Sequence, residues 1–469
     1  MRFGKFLQFF VCGALAFFMA CSSDDPASVP NGNSTQPNGG SGEGGNGGNG
    51  GSGEGGNGGN GGPSGNVSPV PLAATASKDN AASIYQNWRS FHYVTREAEA
   101  VYYTKLAGDF GVVFGNYSPV GRVIWSSQAS QSDCKVENAS VSNMVNRACT
   151  VSEGIGYGML LSYFAGDDET FNSLWNYSRG ERAYFKKALT PWETVSFHYR
   201  KVDASSATDA DLDIATALIL MNYRTGKQEY LDDAKTIINA IWDEEIQKND
   251  LLILSGNTGM WTTDPTYNLS YFSPVAIRLF AKVDGNHNWN GVLDNMYTYM
   301  KKIQDAGTGV FPDWSDATGA AKNPPNGAAG KNENTYTWYR FDKESVRIPW
   351  RIAWDYYWFQ DDRAKAILTT LNDFISKKSS GDPTNVNALG TSYTWNTDLG
   401  PDKAASGTIP SQWLGAWCAT GIAGNKTWLD ACTQEVNKKS VSNTVSSYFP
   451  DILLSMYSQL LNGAYLMPF

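Results

Sequence analysis

Histidine is scarce in this chain of 469 residues, because only His92, His198 and His287 are present and they lie far apart. This scarcity argues against a Ser-His-Asp catalytic triad. None of the six cysteines belongs to a close Cys-x-x-Cys pair, which argues against a zinc site. We therefore expect neither a metal nor a cofactor, and carboxylates remain as the candidates for chemistry.

Basic residues are also in deficit. The chain has 37 Lys and Arg against 46 Asp and Glu, a net charge of -9, which argues against nucleic acid as a partner. No glycine-rich phosphate loop follows a strand-like run. Aromatic residues, in contrast, make up 13% of the chain and include 16 Trp. Their faces suit the C–H faces of sugar rings in a cleft, although a core role is the alternative for many of them.

The first 20 residues have the layout of a secretory signal. Arg2 and Lys5 precede an apolar stretch from Phe6 to Met19. The following junction, Phe18-Met19-Ala20-Cys21, resembles the lipobox of bacterial lipoproteins. We expect Cys21 to be lipidated, and the chain to be extracytoplasmic and anchored to the bacterial cell envelope by that lipid alone. The cell surface is one side of the envelope that it could face.

Residues 21–76 are dominated by glycine, asparagine, serine and proline, with the near-repeat GSGEGGNGGNGG. Such a composition cannot build a core and predicts a flexible linker. Residues 77–469 contain no second low-complexity segment, so we expect one catalytic domain there, and a monomer. In an extracytoplasmic compartment, Cys134 with Cys149 and Cys418 with Cys432 are predicted to form two local disulfides.

Apolar residues recur at helical spacing along most of residues 77–469, and the breaks contain Gly, Pro, Asn or Asp. The predicted helices are 84–98, 154–164, 168–177, 209–223, 228–243, 273–283, 289–306, 345–360, 361–377, 409–420, 426–438 and 443–461. Alternation of period two is sparse, which argues against a large sheet. The sequence thus predicts an all-α fold, a toroid of helical hairpins.

A single carboxylate, Glu153, stands in the segment VSEGIGYG just before the apolar run Met159-Leu160-Leu161. The layout predicts a helix N-terminus, with Ser152 as its N-cap and with glycines that allow a ligand to approach closely. The alternative is a structural one, in which Glu153 satisfies only backbone donors of the helix.

Two further segments concentrate charge. In ATDADLDIA, three acids stand at every other position, so they cannot all lie on one helix face; Thr208 or Asp209 is expected in the first turn. N-capping with a solvated charge cluster is the alternative. In FDKESVRIPWR, acids precede Arg347 and the Pro-Trp-Arg run where a helix begins, with ordinary salt bridges at spacings of three and four as the alternative.

Together these segments resemble glycoside hydrolase family 8. VSEGIGYGM is similar to that family's SEG-x-x-YGM segment, ATDADL to its A-T-D-A-D signature, and ESVRIPWR to its D-A-x-R-x-P-W-R segment. The stretch WTTDPTYNLSYFSP is similar to its N-P-S-Y-F-S-P segment. The resemblance covers about residues 85–465, in the same order and with similar spacing.

The resemblance implies an (α/α)6 barrel and hydrolysis of a β-1,4-linked polysaccharide with inversion at the anomeric carbon. It also implies that Glu153 is the general acid and that Asp209 lies at the sugar ring where cleavage occurs. A buried carboxyl can hold its proton at neutral pH, as a general acid must. Asp211 is the alternative carboxylate within the same segment.

The general base is where the chain departs from the family pattern. The family usually has Asp three residues before the arginine, and this chain has Glu344, which is one methylene longer. We predict Glu344 as the base and Asp342 as its alternative. Some family members take the base from a loop instead, so Asp313 and Glu333, in the irregular segment 307–340, are further alternatives.

Substrate contacts follow from the same resemblance, although a core role is the alternative for each. The candidates are Phe197, Trp261, Tyr271, Arg347 and Tyr448. The segment 126–147, next to the predicted Cys134–Cys149 disulfide, could shape one rim of the cleft.

We expect an endo-β-1,4-glucanase that cuts cellulose or mixed-linkage β-glucan. The alternatives are an endo-xylanase, an exo-oligoxylanase or a chitosanase on the same scaffold. A glycan-binding lipoprotein that has lost catalysis is the rival class, and the unusual Glu344 favours it.

Overall fold

The structure is a computed structural model that describes residues 70–100, 117–125, 149–195, 200–203, 205–324, 338–397, 407–442 and 447–469. The predicted signal, the lipid site at Cys21 and nearly all of the linker lie outside these residues. So do Phe197, Glu333, Cys134 and the segment 126–147. Among the described residues, no helix is both long enough and apolar enough to cross a membrane.

Helices dominate this part of the chain. In order they are α1 (Lys78–His92), α2 (Arg96–Ala100), α3 (Ser152–Ala165), α4 (Asp168–Phe185), α5 (Thr208–Thr225), α6 (Gln228–Glu245), α7 (Gly259–Thr263), α8 (Pro274–Val283), α9 (Trp289–Ala306), α10 (Ile348–Phe359), α11 (Asp362–Ser379), α12 (Val386–Leu389), α13 (Ser411–Ala419), α14 (Lys426–Val436) and α15 (Tyr448–Leu461). Short 3-10 helices cover Leu269–Tyr271, Ser345–Arg347 and Thr420–Ala423.

The strands are short. They are β1 (Tyr93–Thr95), β2 (Gly121–Val123), β3 (Cys149–Val151), β4 (Glu193–Val195), β5 (Arg200–Asp203), β6 (Thr266–Tyr267), β7 (Ser315–Asp316), β8 (Arg340–Phe341) and β9 (Tyr393–Thr394). All pairings among them are antiparallel: β1 with β2, β3 with β4 and β4 with β5, β6 with β7, and β8 with β9. The described sheets have two or three strands, in agreement with the expectation that no large sheet forms.

Six helices form a closed inner ring. In ring order they are α3, α5, α8, α10, α13 and α15, and α15 packs back against α3. Each inner helix pairs with an outer helix, namely α4, α6, α9, α11, α14 and α1 in the same order. The all-α class and the (α/α)6 barrel are therefore confirmed.

Burial distinguishes the two rings. In α5 every residue from Thr208 to Met221 is buried, because the helix has neighbours on all sides. In α9, an outer helix, the buried residues recur at spacings of three and four, while the remaining positions face solvent. The predicted helix 289–306 matches α9 at both ends, and most other boundaries differ from the structure by one or two residues. The larger differences are at the predicted helix 84–98, at the end of 168–177, and at the starts of 345–360 and 443–461.

Inner and outer helices are joined by short turns at one end of the barrel. Gly166 and Gly226 end α3 and α5 with φ of 72° and 70°, a left-handed conformation that glycine adopts without strain. The long connections, such as residues 307–347, return from an outer helix to the next inner one. Consecutive helices joined by tight turns run antiparallel, so the N-termini of the inner helices gather at the end with the long connections.

The sixth pair of the barrel joins the outer helix α1 to the inner helix α15, from opposite ends of the domain. The buried imidazole of His92 hydrogen bonds the Asp451 carboxylate, with 2.8 Å between Nε2 and Oδ2. Near the start of α1, the backbone amide of Ser77 donates to Asn462 Oδ1 at 2.7 Å. Residues far apart in the chain thus complete one continuous core.

Cysteine pairing is confirmed for Cys418 and Cys432, whose disulfide joins α13 to α14. Cys149 is also disulfide-bonded, and the partner predicted for it, Cys134, lies outside the described residues.

Candidate active site

The acids predicted from the sequence meet at the end of the barrel that carries the long connections. Glu153 lies in the first turn of α3 and Asp209 in the first turn of α5. Arg347 and Glu344 stand just before α10, and Tyr448 is the first residue of α15. Inner-ring topology therefore brings together residues almost 300 positions apart.

Arg347 is the centre of this site. Its guanidinium is buried and its Nη1 donates to Glu153 Oε2 and, at 3.1 Å, to Asp209 Oδ2. Its Nη2 donates to Glu344 Oε2. The two terminal nitrogens thus bind different carboxylates, Nη1 those of Glu153 and Asp209 and Nη2 that of Glu344.

Glu153 is held at both carboxylate oxygens. Besides the Arg347 bond at Oε2, its Oε1 accepts a hydrogen bond from the Tyr448 hydroxyl at 2.8 Å. The side chain retains 17% exposure, whereas that of Asp209 retains 2%. Glu153 therefore binds side chains from two other inner helices or their flanks rather than the backbone donors of its own helix.

The prediction of Ser152 as N-cap is wrong. Ser152 is the first helical residue, Val151 occupies the cap position, and no side chain caps the helix. The strand β3 runs directly into α3, so the Ser152 amide is bound by the Trp192 carbonyl at 2.9 Å. The backbone bond from Ser152 to Trp192, rather than a side-chain cap, therefore fixes the start of the helix that carries Glu153.

Burial raises the pKa of both site acids on the inner helices. The pKa of Glu153 is raised by desolvation, which Arg347 and Tyr448 oppose. Desolvation raises the pKa of Asp209 to about 8 against the effect of Arg347, and the charge of Glu153 adds to the increase. Since both carboxylates contact the same Nη1 atom, we treat them as a pair that holds one proton near neutral pH.

The acids of the ATDADLD segment point in two directions, because Asp209 and Asp213 stand four residues apart on one face of α5 whereas Asp211 lies on another. Asp209 faces Arg347, while Asp213 forms a buried pair with Arg351, in which Nη2 and Oδ2 are 2.8 Å apart. Asp211 Oδ1 accepts from the Thr190 amide at 2.9 Å, which places this alternative acid outside the Arg347 cluster. All three are buried, so the alternative of a solvated charge cluster is wrong.

Glu344 has a second partner that the sequence prediction missed. Asn268 Nδ2 donates to Glu344 Oε2 at 2.9 Å. The residue lies within the quoted WTTDPTYNLSYFSP stretch, so the family resemblance contained a signal for it. The predicted i,i+3 salt bridge between Glu344 and Arg347 is also present.

The alternative bases occupy different surroundings. Asp342 is half-buried two residues before Glu344, and its amide donates to Asp313 Oδ1 at 3.1 Å. Asp313 is 1% exposed and binds the backbone and hydroxyl of Ser345.

Three predicted aromatic contacts lie within the described residues. The ring of Tyr271 has the Arg347 guanidinium above it, 5.4 Å from its centroid. Trp261 stacks on Trp314 with centroids 5.7 Å apart and planes within 5°. Tyr448 is buried and binds Glu153, so its placement indicates a role in holding the acid.

Among the described residues, no group of three or more His, Cys, Asp or Glu side chains is arranged to hold a metal ion. The two histidines described there are paired with aspartates, His92 with Asp451 and His287 with Asp284.

Comparison with known proteins places the chain in a family. Residues 121–397 match the family model for glycosyl hydrolases family 8. Endoglucanase C of Ruminiclostridium cellulolyticum is 32% identical over 231 residues, which are 48% of this chain and 47% of that protein. A beta-glucanase of Niallia circulans is 33% identical over 254 residues, 50% of this chain and 60% of that protein. The matched segments thus span roughly half the length of these relatives.

Solved structures share the fold at lower identity. A beta-1,3-1,4-glucanase from Paenibacillus sp. X4 superposes with a TM-score of 0.67 at 21% identity, over 86% of this chain and 97% of that one. A reducing-end-xylose releasing exo-oligoxylanase gives a TM-score of 0.58 at 16% identity, over 79% and 95% of the two chains. With three sequence motifs converging on one buried arginine, and with the family model matching more than half of its length, the chain belongs to glycosyl hydrolases family 8.

Proposed function

We propose that the protein is an endo-β-1,4-glucanase that cuts cellulose or mixed-linkage β-glucan with inversion at the anomeric carbon. The observation that carries the proposal is the single guanidinium of Arg347 holding Glu153 and Glu344 on different nitrogens at the open end of the barrel. An inverting site needs two carboxyls that flank the scissile bond, one as acid and one as base.

Glu153 is the general acid of this proposal. Burial raises its pKa, so it can carry a proton at neutral pH, and its side chain retains some exposure to solvent. The proton passes to the glycosidic oxygen as the bond to the anomeric carbon breaks. Tyr448, bonded to the other oxygen of Glu153, fixes the direction of that transfer.

Glu344 is the general base. Its carboxylate takes a proton from a water molecule, which attacks the anomeric carbon from the face opposite the leaving oxygen and gives a product of inverted configuration. Asn268 and Arg347 both donate to Oε2, which leaves Oε1 as the oxygen to receive that proton. Asp209, buried beside the acid, is assigned to hold the hydroxyls of the sugar at the cleavage point.

The choice of glucan follows the names of the relatives, which are endoglucanases and a beta-glucanase. Tyr271, beside Arg347, and Trp261, stacked on Trp314, have rings that suit the C–H faces of glucose. Xylan and chitosan are the competing substrates within the test.

The test is release of reducing ends by the full-length chain from carboxymethyl-cellulose, lichenan, xylan and chitosan. Glu153→Gln and Glu344→Gln should each lower kcat on the glucans by about 10²- to 10⁴-fold, the range for losing a general acid or base. Asp305→Asn, which removes an exposed acid from the outer helix α9, serves as the control and should retain wild-type turnover. Proton NMR of early products should show the α-anomer first.

Each other outcome has a definite meaning. Cleavage confined to xylan or chitosan overturns the glucanase assignment, and a β-anomer as first product overturns inversion. Glycan binding without release from any substrate would make the protein a capture protein instead.

A further inference from the structure

The turn that carries Glu344 is hydrogen bonded to Asp313, which lies about 30 positions earlier in the chain. One oxygen of that carboxyl, Oδ1, accepts three hydrogen bonds from the turn. The donors are the Ser345 amide at 2.9 Å, the Ser345 hydroxyl at 2.6 Å and the Asp342 amide at 3.1 Å. Because the donors stand on both sides of Glu344, the contact fixes the backbone from which that side chain extends.

The turn is also tied within itself, which makes it a compact unit. The Ser345 hydroxyl accepts from the Asp342 amide at 2.9 Å, and the Val346 amide donates to the Asp342 carbonyl at 3.1 Å. Asp313 therefore contacts a turn of defined shape, and its removal would take an acceptor from two backbone amides and one hydroxyl together.

Asp313 is itself rigidly placed. Val310 and Phe311, just before it, are fully buried, and the Trp314 amide after it donates to the Trp338 carbonyl at 3.1 Å. Trp314 in turn stacks on Trp261. A side chain anchored on both sides in this way can determine the position of a neighbouring turn.

The second oxygen of Asp313 is shielded from solvent. Oδ2 is buried and has no hydrogen-bond partner, and the residue as a whole is 1% exposed. Burial, with the charges of Asp342 and Glu344 adding to it, raises the pKa of Asp313 to about 8. A carboxyl that is neutral near pH 7 can still accept the three bonds at Oδ1, which is what the turn requires.

We propose that Asp313 is a positioning residue for the general base: through the turn from Asp342 to Ser345 it places Glu344 against Arg347 and Asn268, where its free oxygen meets the attacking water. The proposal rests on the function assigned above, in which Glu344 is the base. It assigns to Asp313 a role other than the one considered from the sequence, that of an alternative base.

The experiment compares Asp313→Asn with Asp313→Ala in the full-length chain, on the glucan that the wild type cuts. Asn keeps an oxygen that can accept the three bonds, whereas Ala does not. Asp313→Ala should lower kcat by about 100-fold, as expected when a reacting group is displaced by about 1 Å. KM should change by less than about threefold, because the substrate contacts persist. Asp313→Asn should recover at least a tenth of the wild-type kcat.

A double variant separates positioning from a general structural role. If Asp313 acts through Glu344, then Asp313→Ala should cost nothing further in a Glu344→Gln background. Asp316→Asn is the control, since that carboxylate closes its own turn by accepting from Thr318 and Ala320. Of the three bonds to Asp313, Ser345→Ala removes only that of the hydroxyl, and it should lower kcat by about tenfold. If Asp313→Ala does not fold, this variant is used as the test instead.

Four results would overturn the proposal. Asp313→Asn as inactive as Glu344→Gln would make Asp313 the base itself. A kcat near that of the wild type in Asp313→Ala, or in Ser345→Ala where that variant carries the test, would remove its role. Additive losses in the double variant would make the role independent of Glu344. The proposed function is tested separately: it is supported if the wild type cleaves glucan and Glu153→Gln does not, whatever the Asp313 variants show.

Discussion

At the scale of single residues, the site depends on charge balance around Arg347. One cation contacts three carboxylates, Glu153, Asp209 and Glu344, in a region from which water is largely excluded. Three ionised acids around one guanidinium would leave an excess of negative charge, so retention of a proton by the cluster is electrostatically favoured. The balance of charge around Arg347 thus favours one protonated acid in the cluster.

Tyr448 offers a test of that balance. Its hydroxyl bond stabilises the charged form of Glu153 and so lowers the pKa of that acid. In Tyr448→Phe the pKa of Glu153 should rise, and because a general acid works in its protonated form, the alkaline limb of the kcat/KM–pH profile should move to higher pH. Turnover at the optimum should fall by about tenfold through looser orientation of the acid.

The control for this profile is Tyr230→Phe, which removes a hydroxyl bond to Asn172 between two outer helices. Its alkaline limb should coincide with that of the wild type. An unmoved or lowered limb in Tyr448→Phe would contradict the role assigned to the hydroxyl.

The sequence located site residues well where the signal was a local motif, and poorly where it depended on a contact between distant segments. Glu153, Asp209 and Arg347 stand in motifs, and the structure brings them together. The relation of Asp313 to Glu344 depends on a contact across about 30 positions of irregular chain, which periodicity and motif spacing cannot supply. The same is true of Asn268, whose partner is 76 residues away.

At the scale of elements, α3 and α5 approach each other closely at Gly156. A Cβ atom on Gly156 would lie 3.0 Å from Asp213 Cβ and 3.1 Å from the Ala210 carbonyl oxygen. The absence of a side chain at this position allows the helices that carry Glu153 and Asp209 to pack backbone against backbone.

Gly156→Ala should push these two helices apart. We expect a loss of about 1–3 kcal/mol in unfolding free energy, the usual effect of overpacking, measured by urea denaturation. Turnover should fall as well, because Glu153 and Asp209 would no longer contact one Arg347 nitrogen together.

Gly259→Ala in α7 is the matched control, since a Cβ there meets no atom within 4 Å. It should leave both stability and turnover near those of the wild type. Equal effects of the two substitutions would show that helix contact is not the cause.

Helix prediction was accurate at one outer helix and wrong by several residues at another. The outer helix α9 has a clear amphipathic pattern, and its predicted bounds match the structure. The helix predicted at 84–98 instead covers Lys78–His92, because the Ser77 side chain caps it and Tyr93–Thr95 pairs with β2. Strands of two to four residues are too short for alternation to reveal.

At the scale of the whole molecule, buried acids make stability depend on pH. Desolvation raises the pKa of Glu181 to about 8, and the pKa of Asp211 to about 7. Both values lie above those of an unfolded chain, so between about pH 4 and pH 8 the folded state binds more protons than the unfolded state. Protonated Glu181 and Asp211 thus favour the folded state at the acidic end of this range. Their contribution to the free energy of unfolding is lost as the pH rises through their pKa values.

Calorimetry should therefore show a Tm that is higher at pH 5 than at pH 8. Glu181, with both carboxylate oxygens buried, contributes to this slope. Glu181→Gln removes the titration and should flatten the dependence, so the variant gains in Tm relative to the wild type as the pH rises. A Tm that increases steadily from pH 5 to pH 8 in the wild type would contradict this account.

Ring closure has a consequence for how the chain could be rearranged. The segment before α1 lies against the segment after α15: Leu72 is in reach of Gly463, and Ser77 bonds Asn462. A circular permutation that links these neighbouring segments by a short peptide, and opens the chain at a tight turn between an inner and an outer helix, would preserve the order of helices around the ring. The new ends would then emerge on the side of the barrel away from the acids, so a catalyst of this shape could be mounted on a support with its cleft facing outward.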